Sequence, residues 1–258
     1  MQRVKRRFYE PDSARHGSLQ SCVRTDDLDL VGDGTHLTYF EMIGNFSFGG
    51  NDYDLSVELW HSILSDLRVP VTVIRFHPLR TDHQRLWEKL GYSVRPDESC
   101  VWGDGQIGGN CCELFCGNLE IGNLVNPLCH STDVGFGWER LHQVVEGKDR
   151  VHETSLFDQK VHPVVSDHSR AISIMRENGI EPGNKGRNYV CRRLLRRMLR
   201  LVSDDQKFDF DDWIIKERIL REQNLRRGRR LWRKHRHKPV EFWWETHGIL
   251  PEELELLV

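Results

Sequence analysis

The hydrophobic pattern of this 258-residue chain changes at about residue 162, and the change limits the folds it can adopt. Before it, β-rich runs at 37–42 and 69–76 alternate with turn residues and with a helical pattern, whose apolar residues stand at 55, 59, 63, 64 and 67. After it, the apolar spacing is helical, and Gly179 stands where a helix would end in a left-handed conformation. The chain is therefore predicted to be α+β first and all-α afterwards.

The composition is that of a globular protein without membrane spans. Hydrophobic residues make up 38% of the chain and no run of about 18 apolar residues occurs, so no membrane partner is expected. The N-terminus is basic but no apolar segment follows it, which predicts a cytoplasmic location. The seven cysteines lack the spacing of a four-ligand zinc site, so we expect reduced thiols and no zinc.

Charge is unevenly distributed along the chain. The net charge is −2, yet residues 185–238 carry 19 Lys and Arg against seven Asp and Glu. Such a basic segment predicts a surface that meets a polyanion. The alternative is a solvated helical face of mixed charge, which needs no partner.

One segment, Thr38 to Gly49, reads TYFEMIGNFSFG. It resembles motif 2 of the alanyl-tRNA synthetases, which reads close to T-F-F-E-M-L-G-N-F-S-F-G. The resemblance implies an α+β fold in which a class II synthetase-like antiparallel sheet is flanked by helices and followed by a helical tRNA-acceptor-type subdomain. It divides the chain into a catalytic core at 1–160 and an acceptor-recognition subdomain at 161–258. Glu41 is expected near the adenine of ATP, and Phe46 either contacts the nucleotide or packs in the core.

Two arginines would handle the phosphates of ATP. Residues 20–24 resemble the family's Q-R-C-V-R, in which the last arginine, here Arg24, contacts the α-phosphate. Residues 131–140 resemble motif 3, near S-V-D-T-G-M-G-L-E-R, so Arg140 would meet the ATP phosphates and Asp133 the substrate α-ammonium. Attack of a carboxylate on the α-phosphorus builds negative charge, which a guanidinium can hold. Arg24 and Arg140 are thus the expected catalytic residues.

A further segment implies the metal and amino-acid contacts. Residues 119–125 resemble L-E-I-W-N-L-V, so Glu120 would ligate Mg²⁺ on the ATP phosphates and Asn123 would contact the amino acid. Trp102 lies close in sequence to the family's pocket tryptophan and is expected to contact the amino acid too. Gly122 replaces the tryptophan of L-E-I-W-N-L-V, which predicts a more open pocket and a substrate that need not be alanine.

The second half carries the expected tRNA contacts. Residues 183–193 resemble S-N-x-x-R-G-Y-V-L-R-R, which implies that Asn184 reads an acceptor-stem base pair. Ser166 to Arg170 resembles A-D-H-I-R, and residues 244–249 faintly echo Y-D-T-Y-G-F, with Glu245 in place of the aspartate. The arginines expected to face the tRNA phosphate backbone are Arg192, Arg193, Arg196 and Arg197.

Parts of the family pattern have no counterpart in this sequence. Met1 to Val4 aligns with M-N-Q-F, so we expect motif 1 to be absent, and no editing or C-terminal oligomerisation domain is recognisable. The predicted reaction is ATP-dependent activation of a small amino acid to an aminoacyl-adenylate, with transfer to tRNA. Two alternatives stay open: transfer to a small molecule or carrier protein, and a non-catalytic tRNA-binding role. The oligomeric state is not predicted.

Overall fold

The computed structural model describes residues 14–50, 52–103, 105–127, 131–203 and 206–258. They form two compact units. The first contains the described residues up to Cys22 together with Phe40–Leu156, and the second contains Val23–Tyr39 together with Phe157–Val258. The division predicted at residue 160 kept residues 23–39 with the first part, whereas the structure has them in the second unit.

The first unit is built on a sheet of eight strands among the described residues. Their spatial order is β1-β2-β8-β7-β6-β3-β4, with β5 paired to β6. The pairs from β2 through β8, β7 and β6 to β3 are antiparallel, whereas β3 and β4 pair in parallel. The predicted α+β architecture with an antiparallel sheet is confirmed. The strands are β1 (Arg15–Val23), β2 (Tyr39–Phe48), β3 (Val73–Phe76), β4 (Val94–Pro96), β5 (Val101–Gly103), β6 (Gly108–Cys116), β7 (Leu119–Val125) and β8 (Ser131–Gly137).

The helices of the first unit are α1 (Tyr53–Asp66), α2 (Thr81–Lys89) and α3 (Trp138–Val145). The helix predicted from the apolar positions beginning at 55 exists, but its buried face is different. The buried apolar side chains of α1 are Tyr53, Val57, Trp60 and Leu64, whereas Leu55 and Leu59 are 47% and 49% exposed. The buried side of α1 packs on the sheet side chains Ile74, Leu114, Leu124 and Phe136. We call this side of the sheet the core face and the opposite side the front face.

The second unit is helical. Its helices are α4 (Pro163–Glu177), α5 (Gly186–Met198), α6 (Asp211–His235) and α7 (Val240–His247), with 3-10 turns at Leu28–Leu30 and Pro251–Leu257. Their shared core includes Leu28, Val165, Ile172, Cys191, Leu195 and Phe210. Gly179 has φ of 70° and donates its N–H to Arg176, while Ile180 donates to Met175. These two bonds close α4 in the way its glycine predicted.

None of the helices in the described ranges is long and apolar enough to cross a bilayer. The cytoplasmic location stays a prediction. The expected absence of motif 1 rests on the alignment of Met1 to Val4, which lie outside the described residues.

Candidate active site

A row of side chains crosses the front face at the level of Asp133. The directly opposed residues on β2, β8, β7 and β6 are Phe46, Asp133, Val125 and Cys111. Because opposed residues of neighbouring strands point to the same face, the carboxylate is flanked by two apolar side chains. Trp102 packs against Phe46 in one apolar cluster and against Val125 and Cys111 in another. The structure thus brings the predicted residues Phe46, Trp102 and Asp133 together.

Asp133 is a half-buried carboxylate without a cation beside it. It makes no hydrogen bond or ion pair with any residue in the part of the chain that the structure describes. Burial raises its pKa to about 7. The ionised form therefore costs free energy until a cation pairs with it. This position suits a ligand that carries an ammonium group.

The next row of the front face, toward α3, contains two glycines. Gly44, Gly135 and Asn123 oppose one another there on β2, β8 and β7. A Cβ on Gly135 would lie 2.5 Å from Met42 Cε, so a side chain at this position would displace the methionine. The Asn123 amide makes no hydrogen bond with the described residues. Asn123 therefore lies beside Gly135 in the row next to Asp133, and the Met42 side chain reaches over that glycine.

A bulge in β7 brings Glu120 onto the front face. Glu113 opposes Asn123, and after a shift in register Phe115 opposes Glu120. Ile121 is the extra residue and is buried in the core. Residues three apart in a regular strand point to opposite faces, but here Glu120 and Asn123 share one face. The predicted metal ligand and the predicted amino-acid contact are therefore neighbours.

Arg140 stands in the first turn of α3 and reaches Glu120. Its Nη1 donates to the Glu120 carbonyl oxygen at 2.7 Å and lies 3.5 Å from the Glu120 carboxylate. The preceding residue, Glu139, is buried and accepts the backbone N–H of Glu41 at 3.0 Å. This bond ties the start of α3 to β2 beside the predicted adenine contact. The Arg140 side chain is 34% exposed, so a phosphate can still reach its guanidinium.

Two further charged residues lie on the front face and were not predicted as site residues. Glu113 opposes Asn123 on β7 and Arg75 on β3. The Arg75 guanidinium lies 4.3 Å over the Phe115 ring and 3.3 Å from the Asp97 carboxylate. The signal that could have found them is the antiparallel pairing of β3 with β6, which no local motif reveals.

The front face also provides oxygen ligands for a cation. Burial, and then the charge of Glu120, raises the pKa of Glu113, while Arg75 lowers it. No group of three or more metal-ligating side chains occurs within the described ranges. Mg²⁺ commonly takes one or two carboxylates and completes its shell with water and phosphate oxygens. Glu120 with Glu113 fits that ligand set.

Arg24 belongs to the second unit. It donates its backbone N–H to the Thr38 carbonyl oxygen at 2.9 Å, and its guanidinium pairs with Asp27 at 3.0 Å. The side chain is 60% exposed, so the guanidinium can exchange this partner for another anion. Its contact with the α-phosphate stays a prediction.

Comparison with known proteins agrees with the motifs. The chain matches the family described as tRNA synthetases class II (A) over residues 4–93 and 126–219, more than half of its length. The chain belongs to this family. The resemblance to alanyl-tRNA synthetases is confirmed as well, because the matched relatives include proteins named alanine–tRNA ligase.

Three of these relatives show how much of a synthetase is matched. The protein from Desulfitobacterium hafniense is 34% identical over 270 residues, covering 78% of this chain and 31% of that protein. The one from Endomicrobium trichonymphae is 31% identical, covering 72% and 28%. The one from Neorickettsia sennetsu is 30% identical, covering 78% and 32%. The chain spans about a third of the length of these curated relatives.

Gly122 lies on the core face, away from the front face that carries Asp133 and Asn123. It opposes Phe136 across β7 and β8, and a Cβ on it would lie 2.4 Å from the Phe136 ring. Phe136 in turn stacks on Trp60 with ring centroids 4.0 Å apart. The prediction of a more open pocket is wrong, because a phenyl ring from the neighbouring strand fills the space.

The structure also contradicts one predicted tRNA contact, that of Arg196. Arg196 is 1% exposed and donates to Glu217 at 2.6 Å, to Glu253 at 2.7 Å and to the Gly248 carbonyl oxygen at 2.6 Å. No surface of this guanidinium remains for a phosphate. Arg196 therefore holds α5 to its neighbours within the second unit.

The other predicted tRNA residues also have partners within the second unit. Arg192 bonds Glu217 and the exposed Asn184, Arg193 bonds Glu252, and Arg197 bonds the Leu28 carbonyl oxygen. Their contacts with tRNA stay predictions.

A different set of cations in the second unit is exposed. It comprises the basic residues in the last turns of α6 and the turn that follows: Arg226, Arg227, Arg229, Arg230, Arg233, Lys234, Arg236 and Lys238. We call this set the basic strip. Arg226 pairs with Glu222, and Arg229 donates to the Leu256 carbonyl oxygen at 2.9 Å. The other six make no ion pair with an acidic side chain of the described residues.

Proposed function

We propose that this synthetase activates alanine with ATP, forming alanyl-adenylate and pyrophosphate, and transfers the alanyl group to the 3′ end of a tRNA. The observation that carries the proposal is the half-buried, unpartnered carboxylate of Asp133, which shares the front face with Asn123 and Glu120. The relatives named alanine–tRNA ligase support alanine as the amino acid.

The amino-acid end of the site is the row that contains Asp133. Its carboxylate accepts hydrogen bonds from the substrate ammonium, and the ion pair offsets the cost of a buried charge. Asn123 supplies an amide one row away. Phe46 and Val125 flank Asp133 in the sheet, and Trp102 packs against the two apolar clusters that contain them, so apolar side chains border the carboxylate. Phe46 is 7% exposed and stacks on Phe48, so we assign it to this packing and leave the adenine edge to Glu41.

The phosphate end of the site lies toward α3. A carboxylate oxygen of alanine forms a bond to the α-phosphorus while the bond to the pyrophosphate oxygen breaks. Arg140 and Arg24 stabilise the negative charge that develops on the phosphate oxygens. Glu120, with Glu113, would hold Mg²⁺, which supplies further charge neutralisation when bound. Positioning and electrostatics suffice, and no side chain forms a covalent bond with the substrate.

For the tRNA we propose the basic strip as the surface that meets the phosphate backbone. Its exposed guanidinium and ammonium groups are available without breaking a buried ion pair, unlike Arg196. Each phosphate contact releases counterions, so the affinity for tRNA depends on salt. Such contacts orient the tRNA, and Asn184 remains the residue proposed to read the acceptor stem.

The activation step is tested by ATP–pyrophosphate exchange with alanine. Asp133→Asn is expected to lower kcat/KM for alanine roughly 100-fold or more, because removing one partner of a buried ion pair costs about 3–5 kcal/mol. The matched control is Asp149→Asn, which changes an exposed carboxylate of the same unit and should leave exchange unchanged.

Two outcomes would contradict the proposal. Wild-type protein that exchanges pyrophosphate with none of the amino acids would refute activation. Exchange that survives in Asp133→Asn would refute the role of this carboxylate. Charging of a tRNA-Ala transcript then separates transfer to tRNA from transfer to a small molecule or a carrier protein.

A further inference from the structure

The second unit contains a buried hydrogen-bond network centred on Asp167 and His168 of α4. Both side chains are 0% exposed. One oxygen of the Asp167 carboxylate accepts the backbone N–H of Thr38 at 2.8 Å and that of Tyr39 at 3.4 Å. The other oxygen accepts from Nδ1 of His168 at 2.8 Å. The carboxylate thus binds the chain at the start of β2.

The peptide group between Thr38 and Tyr39, which we call the Thr38 peptide, continues the network to Arg24. The carbonyl oxygen of Thr38 accepts the backbone N–H of Arg24 at 2.9 Å. Thr38 is itself 0% exposed, so its two backbone groups have no access to water in place of these partners. A continuous path of hydrogen bonds therefore runs from Asp167 through the Thr38 peptide to the backbone of Arg24.

His168 determines that Asp167 acts as a hydrogen-bond acceptor in this path. Burial lowers the pKa of His168 below its usual value, which keeps the imidazole neutral at pH 7. Its Nδ1–H then donates to Asp167, while Nε2 has no hydrogen-bond partner. A neutral donor leaves the negative charge on Asp167, and a charged acceptor binds backbone N–H groups more strongly than a neutral one.

The arginine at the end of the path is otherwise loosely held. Its side chain is 60% exposed and its ion pair with Asp27 is local, three residues along the chain. Its backbone follows β1, and the bond to the Thr38 carbonyl oxygen is the contact that holds it beyond the end of that strand. A guanidinium that must contact one phosphate needs its backbone held in place, because a displacement of the catalytic group by about 1 Å can cost on the order of 100-fold in rate.

We propose that Asp167 is a positioning residue for Arg24 and acts through the Thr38 peptide. This inference rests on the proposed function, in which Arg24 binds the α-phosphate. In this proposal Asp167 does not itself contact the reacting atoms. It fixes the position of the Arg24 backbone. Loss of the path should therefore change the kinetic parameters for ATP more than those for alanine.

The first test is a double-mutant cycle in ATP–pyrophosphate exchange. Asp167→Ala is expected to lower kcat/KM for ATP roughly 10- to 100-fold in the wild-type background. It should have less than about a twofold further effect in the Arg24→Ala background, because the residue it positions is gone. The control Asp212→Asn breaks an exposed ion pair with Arg176 in the same unit and should leave exchange unchanged. Equal losses from Asp167→Ala in both backgrounds would overturn the proposal.

Asp167→Asn separates positioning from misfolding. It keeps the side-chain volume and an oxygen that accepts from Thr38, so it should retain more kcat/KM for ATP than Asp167→Ala. Its loss should fall on ATP, with the KM for alanine within about twofold of wild type. Equal defects in the alanine and ATP parameters would indicate a general structural role and overturn the proposal.

Amide hydrogen exchange provides a readout that does not need activity. Asp167→Ala should speed exchange at the amides of Thr38 and Arg24 while the core of α4 stays protected. Unchanged protection at Arg24 would overturn the path even in an active protein. Wild-type protein that fails to exchange pyrophosphate would instead contradict the proposed function, and amide exchange would still decide the path.

Discussion

Asp133 and Arg196 are two charged side chains in buried surroundings, and they differ in their partners. Arg196 donates to two carboxylates and a carbonyl oxygen, whereas Asp133 has no partner among the described residues. A buried charge that is paired with opposite charges holds neighbouring elements in one arrangement. A buried charge without a partner costs free energy until a ligand supplies one. The difference separates a residue that stabilises the second unit from one proposed to bind substrate in the first.

The largest effect on stability is expected at Arg196. Arg196→Met should lower the free energy of unfolding by about 3–5 kcal/mol, because Glu217 and Glu253 are buried and would each lose a partner. Urea unfolding measures this loss. The control Arg230→Met removes an exposed cation and should change stability by no more than about 0.5 kcal/mol. Equal losses in both variants would remove the distinction between paired buried charge and solvated charge.

The two faces of β7 can be compared in the same way, because Gly122 packs in the core while Asn123 faces the proposed site. Gly122→Ala should destabilise the protein by about 1–3 kcal/mol through overpacking against Phe136, with the KM for alanine unchanged. Gly17→Ala is a suitable control, because a Cβ there has no atom within 4 Å. A raised KM for alanine in a stable Gly122→Ala protein would put this position back in the pocket.

The pH dependence of stability tests the cost of an unpartnered carboxylate. Burial raises the folded-state pKa of Asp133 to about 7, above the ordinary value of an aspartate, so the folded state holds this proton more tightly. Its contribution to stability is therefore present at low pH and is lost as the pH rises toward 7. Asp133→Asn should be more stable than wild type at pH 8, by on the order of 1 kcal/mol.

That advantage should vanish near pH 4, where the wild-type carboxyl group is protonated as well. Urea unfolding of both proteins at the two pH values provides the measurement. A stability difference that does not change with pH would show that Asp133 is solvated or paired.

The smallest effects are expected in the basic strip, where the charges are unpaired but exposed. Arg233→Ala should weaken binding of a tRNA transcript by less than about tenfold and reduce the salt dependence of log K by about one ion. A filter-binding titration at several salt concentrations measures both quantities. Lys148→Ala, an exposed cation of the first unit, should alter neither. An unchanged salt dependence in Arg233→Ala would exclude this residue from the interface.

Sequence motifs predicted the identities of the front-face residues better than their arrangement. The motif around Glu120 and Asn123 implied that both belong to one site, although their spacing in a regular strand would separate them. The bulge at Ile121 resolves this, and it depends on pairing with β6. Arg75 and Glu113 were missed as site residues for the same reason, because their shared row depends on pairing between distant strands.

The misassigned residues have a common physical cause. Arg196 resembles its arginine neighbours in sequence, and the carboxylates that bury it come from positions 217 and 253. Leu55 and Leu59, which belong to the apolar pattern that predicted α1, are exposed, while Trp60 and Val57 form the contact with the sheet. Gly122, in place of the family's tryptophan, suggested an open space in the pocket, but the Phe136 ring of the next strand fills that space. In each case the deciding neighbour is remote in sequence.

We propose that the Asp133 carboxylate is held ready for the ammonium group of the substrate. The most direct measurement is an NMR titration of the Asp133 carboxyl carbon with and without saturating alanine. Without alanine the account predicts a pKa of about 7, and with alanine a pKa well below that, because a nearby cation favours the ionised form. An ordinary pKa in the free protein, or one that alanine leaves unchanged, would contradict the account.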